Sequence, residues 1–93
     1  MIHIGQTTII DSFQVDTQLL MTVHMDIPGQ FHAGDILEGE NSTKRWRIET
    51  FALVRWTDPS YILTRESLVV TPLAETILPP NGLVVQIYRP DDK

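Results

Sequence analysis

From residue 19 to residue 27 the chain reads Leu-Leu-Met-Thr-Val-His-Met-Asp-Ile, with an apolar side chain at every odd position and Thr22, His24 and Asp26 between them. Period-two alternation of this length is the pattern of a strand with one face buried and one wet. A helix would repeat every 3.6 residues, and this segment does not. Weaker versions of the pattern recur. Residues 7 to 15 alternate loosely, with Ile9, Phe13 and Val15 on one face. Residues 44 to 56 place Trp46, Ile48, Ala52, Val54 and Trp56 on one side. A short run at 36 to 40 is a further strand candidate, and the runs at 67 to 71 and 83 to 88 are apolar and β-branched, as strands prefer.

Turn chemistry separates these runs. Pro28-Gly29 suits a type II turn, because proline fixes φ and glycine accepts positive φ. Gly39-Glu40-Asn41-Ser42 reads as a hairpin loop, and Pro79-Pro80-Asn81-Gly82 as a break before the last strand. Asp58 followed by Pro59 offers a helix start, so residues 58 to 64 read as a short helical turn or as a further strand or loop. Together these elements predict an all-β fold, a small antiparallel barrel of about six strands, with residues 1–93 as its single domain. Barrel and sandwich are not separable at this level.

One strand carries a conflict. The other side of the run from 44 to 56 holds Arg45, Arg47, Glu49, Phe51, Leu53 and Arg55. Phe51 and Leu53 do not belong in water beside solvated arginines. Either a β-bulge near Glu49-Thr50 swaps the faces and returns them to the core, or they form an apolar patch rimmed by Arg45, Arg47 and Arg55 that suits a partner.

The totals narrow the field of functions. A chain of 93 residues buries roughly 64% of its extended surface, which leaves little room for a deep cavity. The apolar fraction, 42%, is that of an ordinary folded protein. No cysteine is present, so disulfides and thiolate zinc sites are excluded. The start of the chain has neither a basic cluster nor an apolar run of signal-peptide length, and no stretch approaches a membrane span, so a cytoplasmic protein is expected. A net charge of −5 weakens any general attraction to phosphate backbones. Asn41-Ser42-Thr43 matches a glycosylation sequon and, without a secretory signal, is read as chance.

Three segments occur in a recognisable order. Ala33-Gly34-Asp35-Ile36-Leu37-Glu38-Gly39 places Gly-Asp just before a strand, Trp46-Arg47-Ile48-Glu49-Thr50-Phe51 returns from it, and Pro80-Asn81-Gly82-Leu83-Val84-Val85-Gln86-Ile87 closes with a glycine turn and an apolar strand. This order, over residues 18 to 88, resembles the second-domain β-barrel of translational GTPases of the elongation-factor-Tu type. The resemblance implies fold more than function. The basic, glycine-rich stretch that the family carries in its first hairpin is replaced by Met25-Asp26-Ile27-Pro28-Gly29-Gln30, so its contacts to RNA or a GTPase domain do not transfer. No G-x-x-x-x-G-K-[ST] loop is present, so the chain is not itself such a GTPase.

Catalytic signatures are absent. There is no G-x-S-x-G nucleophile elbow, and pairing Glu66 with Glu75 for acid–base work rests on composition alone. His24 and Asp26 share a strand face and, with His32, are the nearest approach to a zinc site, although ordinary polar-face residues explain them as well. Asp35, Glu38 and Glu40 fit no calcium-loop spacing. Lys44, Arg45, Arg47 and Arg55 with nearby aromatics admit single-stranded nucleic acid as an alternative ligand, but Trp46 and Trp56 fall on the opposite strand face. The expectation is therefore a non-enzymatic interaction module without cofactor or metal. It would bind a protein partner or itself through Arg45, Arg47, Phe51, Leu53 and Arg55. A nucleic-acid-binding barrel comes next, and a metal- or small-ligand-binding protein third.

Overall fold

In the computed structural model, which describes residues 1–27, 29–40, 43–54, 56–73 and 78–90, six antiparallel strands close into a barrel. The strands are β1 (Ile2–Val15), β2 (Gln18–His24), β3 (Ile36–Gly39), β4 (Arg45–Phe51), β5 (Arg65–Pro72) and β6 (Val84–Arg89). A single turn of helix, α1 (Tyr61–Thr64), precedes β5. Around the barrel the order is β1, β2, β5, β4, β3, β6 and back to β1, so each strand has a neighbour on both sides.

The alternation of β2 becomes its burial pattern. Leu19, Met21 and Val23 are buried, and Met25 continues the inner face just past the strand. Trp46 and Ile48 from β4, Leu37 from β3, Leu68 and Val70 from β5, and Val85 and Ile87 from β6 complete the core with Ile9 of β1 and Phe31. Inside this shell the Trp46 Nε1–H has no hydrogen-bond partner among the described residues, an unmet donor of the kind that costs about 1–3 kcal/mol.

Where the strands depart from the sequence pattern, bulges are the cause. The β1 register against β2 slips between Ile9 and Asp11. Ile9 faces the core, whereas Phe13 and Val15, expected on the same face, lie beyond the slip and are exposed. β1 also starts at Ile2, earlier than the pattern suggests, because a second slip between His3 and Gly5 hides the alternation there. Gly5 sits at φ +149°, a conformation open to glycine. β1 turns into β2 through Asp16-Thr17, with Asp16 at φ +55°.

The expected turns form. Gln30 N–H donates to Ile27 O, and Gly29 has φ +83° as a type II turn requires, while Pro28 itself lies outside the described residues. Leu83 N–H donates to Pro80 O around Gly82 at φ +88°, and this turn is tied to the β1 bulge by Gly82 N–H to Ile9 O and Ile9 N–H to Leu83 O. Residues 41 and 42 of the 39–42 loop, and the sequon asparagine with them, lie outside the described residues. The stretch from 58 to 64 is helical only in its last turn. The Asp58 carboxylate accepts from the Ser60 N–H and hydroxyl, which lowers its pKa, and so makes a local turn rather than a helix cap. Among the described residues no helix is long and apolar enough to cross a membrane.

Candidate partner-binding surface

β4 decides where the five expected contact residues go. Its register against β5 pairs Ile48 with Val70, then skips, and pairs Thr50 with Val69 and Phe51 with Leu68. The skipped residue is Glu49, so the bulge falls where the charge pattern called for one. Residues directly opposite each other in a ladder share a face. Arg47 opposite Thr71 is therefore on the outer wall, and Phe51 opposite the fully buried Leu68 is on the inner side. The bulge thus changes the face of Phe51 but does not bury it. Phe51 sits at the barrel's end, 40% exposed, and Leu53 beyond it is fully exposed at 104%.

The arginines and the apolar pair are consequently not one patch. On the outer wall the Arg45 Nε donates to Glu38 at 2.8 Å and Arg47 Nη2 lies 2.7 Å from Glu49. Glu49 is held below the usual glutamate range by hydrogen bonds from Thr71 and Arg47. Arg55 lies outside the described residues. Val54, expected with Trp46 and Ile48 on the buried side, is exposed, because the strand ladder ends at Phe51 and the bulge has already reversed the faces.

What assembles instead is the end of the barrel next to α1. Ala52 N–H donates to Ser67 O and carries the chain along the start of β5. Leu53 and Val54 then line an open groove of about 500 Å³ with Trp56 and Ile62. Trp56 meets Tyr61 edge to face at 6.2 Å, and the Arg65 guanidinium stacks 3.7 Å over the other aromatic partner, Tyr61. None of the four α1 residues is buried, and Ile62 and Leu63 are 60% and 62% exposed. Sequence reading missed Ile62, Leu63 and Val54 as surface residues. The available signal was the short run Tyr61-Ile62-Leu63, too apolar for a loop and too short to bury itself.

Other candidate clusters dissolve into separate contacts. His24 Nε2 lies 3.4 Å from Asp26, both exposed, and among the described residues no group of three or more His, Cys, Asp or Glu is placed to hold a metal. Asp35, Glu38 and Glu40 each have a different partner: Arg89, Arg45 and Gln86. The first of these matters for the fold. Asp35 is 1% exposed and takes both Arg89 Nε and Nη2 at 2.9 Å, with the His32 N–H at 3.0 Å. The same Arg89 Nη2 reaches Gln30 O, so one guanidinium ties the end of β6 to the loop before β3. Asp35 in turn raises the Arg89 pKa. Glu75 is outside the described residues, and Glu66 faces the inner side of the barrel opposite Val23.

No family model matches the chain, and no curated protein or solved structure matches it. The structure has a closed six-strand antiparallel barrel, and none of these comparisons supports its assignment to the translational-GTPase barrel.

Proposed function

We propose that this chain is a non-enzymatic interaction module that binds a protein through the α1 end of its barrel. The observation that carries this reading is the groove of Leu53, Val54, Trp56 and Ile62, with Leu63 and Phe51 also exposed, on a protein whose other large apolar strand residues are mostly inside. Exposed apolar groups that adjoin one another mark contact sites, and isolated ones do not. Burying Leu53 and Ile62 against a partner would contribute roughly 1.5–3 kcal/mol each. Arg45 and Arg47, already paired with carboxylates on the outer wall, lie outside this surface. The same pairing removes much of the phosphate-binding capacity that a nucleic-acid barrel would need. Under this reading the resemblance to the translation-factor barrel describes a scaffold that presents a surface.

The test is capture from source-cell lysate by immobilised protein, with and without nuclease. A protein held by the native chain and released by both Leu53→Ser and Ile62→Ser, each shown folded by circular dichroism, supports the surface. A partner held equally by native and variant chains refutes it. Signal that disappears with nuclease moves the function to nucleic acid.

A further inference from the structure

One core residue stands apart from the strands. Phe31 is 4% exposed and packs in the core, yet it lies between β2 and β3. Two glycines bracket it, Gly29 at φ +83° and Gly34 at φ +94°. Neither is crowded, since a Cβ at either would meet nothing within 4 Å, so the backbone angle and not the packing calls for glycine. Past Gly34 the chain belongs to the barrel. Gly34 N–H donates to Ile48 O and Ile48 N–H to Asp35 O, which carries the β3–β4 pairing one step further. Residues 29–33 have no such ladder. Among the described residues, their hydrogen bonds to the barrel centre on Asp35 and Arg89. The Asp35 carboxylate accepts the His32 N–H at 3.0 Å, and Asp35 N–H donates to His32 O. Arg89, held on that same carboxylate, donates to Gln30 O at 3.3 Å.

We propose that residues 29–33 are a lid on the mouth of the barrel, swinging on Gly29 and Gly34, with Phe31 as its plug and the Asp35–Arg89 pair as its clasp. Opening breaks the bonds to His32 and Gln30 and withdraws one aromatic side chain from the core. It leaves the strand ladders closed, because no lid residue takes part in them. The clasp itself stays with the barrel, Asp35 bonded to β4 and Arg89 at the end of β6, so the lid shuts again on a preformed pair. Segments with few ladder bonds open at a lower free energy than the strands they cover. Phe31 sets how rarely this one opens, since its ring must return to water. The clasp adds the polar share of the hold, at both ends of the lid at once.

The experiment is amide hydrogen exchange of the full chain, read residue by residue by NMR in urea below the unfolding transition. The His32 and Asp35 N–H groups report the lid, because both lose their acceptors when it opens. Gly34 N–H reports the barrel side of the hinge, and Met21 and Leu68, opposite each other in the β2–β5 ladder, report the barrel. The two lid groups should exchange together and at least about tenfold faster than Met21 and Leu68, with a urea dependence shallower than theirs but not zero. Arg89→Lys keeps a cation for Asp35 but loses the reach to Gln30, and should speed the lid groups about threefold to tenfold. Phe31→Leu leaves the clasp intact and should speed them as well. Lid groups that exchange at the rate and urea slope of Met21 and Leu68 overturn the proposal, because the segment then opens only when the barrel unfolds. Unequal lid rates with no urea dependence overturn it too, as fraying rather than a lid. Lid groups indifferent to Arg89→Lys remove the clasp, and indifference to Phe31→Leu removes the plug.

Discussion

The outer wall formed by β6, β3 and the first half of β4 differs from the α1 end in one respect: in two neighbouring rows of the wall, side chains partner one another. Gln6, Gln86, Glu38 and Arg45 lie in one register row. Gln86 Nε2 donates to Gln6 and to Glu40, and Arg45 donates to Glu38. In the adjacent row His3 packs on Tyr88 with ring centroids 5.2 Å apart, beside Ile36 and Arg47. At the α1 end Leu53, Ile62 and Leu63 are largely exposed, and the Arg65 guanidinium lies over the Tyr61 ring within electrostatic reach of Asp58. Both regions are solvent-facing parts of the same barrel. The difference teaches that exposure alone does not identify a contact surface. A surface whose groups already satisfy one another has little to offer a partner, whereas one with uncovered apolar groups does.

Substitutions that strike the two regions should separate them. The largest effect is expected at the strut inside the wall. Asp35→Ala leaves the Arg89 guanidinium without its carboxylate and the His32 N–H without its acceptor. It should cost about 3 kcal/mol, the lower end for breaking a buried pair, because Arg89 keeps some contact with water. Urea unfolding measures this, and a loss under about 1 kcal/mol would show the strut is ornamental.

On the wall's surface the effect should fall sharply. Arg45→Ala removes a pair with side chains 47% and 28% exposed, so the expected loss is about 0.2–1 kcal/mol, shrinking with added salt. The α1 end should respond less still. Leu53→Ser, at a residue with no burial, should change unfolding free energy of the dilute protein by no more than about 0.5 kcal/mol. A loss of about 2 kcal/mol there would mean Leu53 packs within its own chain, and the contrast between wall and end would collapse.

The smallest effect is a pH dependence at Glu66. Burial raises its folded-state pKa above the unfolded value, so at neutral pH the ionised folded form carries a penalty that the unfolded form does not. Glu66→Gln should therefore be slightly more stable than the native chain near pH 7. The advantage should fade as pH falls through the raised pKa and vanish below the unfolded one, where both states hold the proton. Thermal unfolding of dilute protein between pH 3 and pH 7 reads this. An advantage that grew on acidification would reverse the sign and place Glu66 beside a cation.

Much of the barrel was legible before any coordinates. The odd positions from Leu19 to Met25 face the core because a strand's side chains alternate and the apolar ones must leave water. The glycines at 29 and 82 marked turns because positive φ is costly for other residues. Even the bulge at Glu49 was visible as a conflict between neighbouring side chains. The fate of Phe51 and Leu53 was not. A slip of one residue reverses a face, but whether the reversed residue is covered depends on where the partner strand stops, which is a property of β5 and α1. Phe13 and Val15 parted from Ile9 for the same reason, at a slip with no local signature. The Asp35–Arg89 pair joins residues 54 apart along the chain, and nothing in either neighbourhood names the other. Alternation, turn chemistry and composition are local, so the sequence by itself determined strand identity, inward faces and the all-β class. Register, closure and the pairing of distant charges arise only when strands meet, so the tertiary structure alone decided which apolar residues remain uncovered at the α1 end.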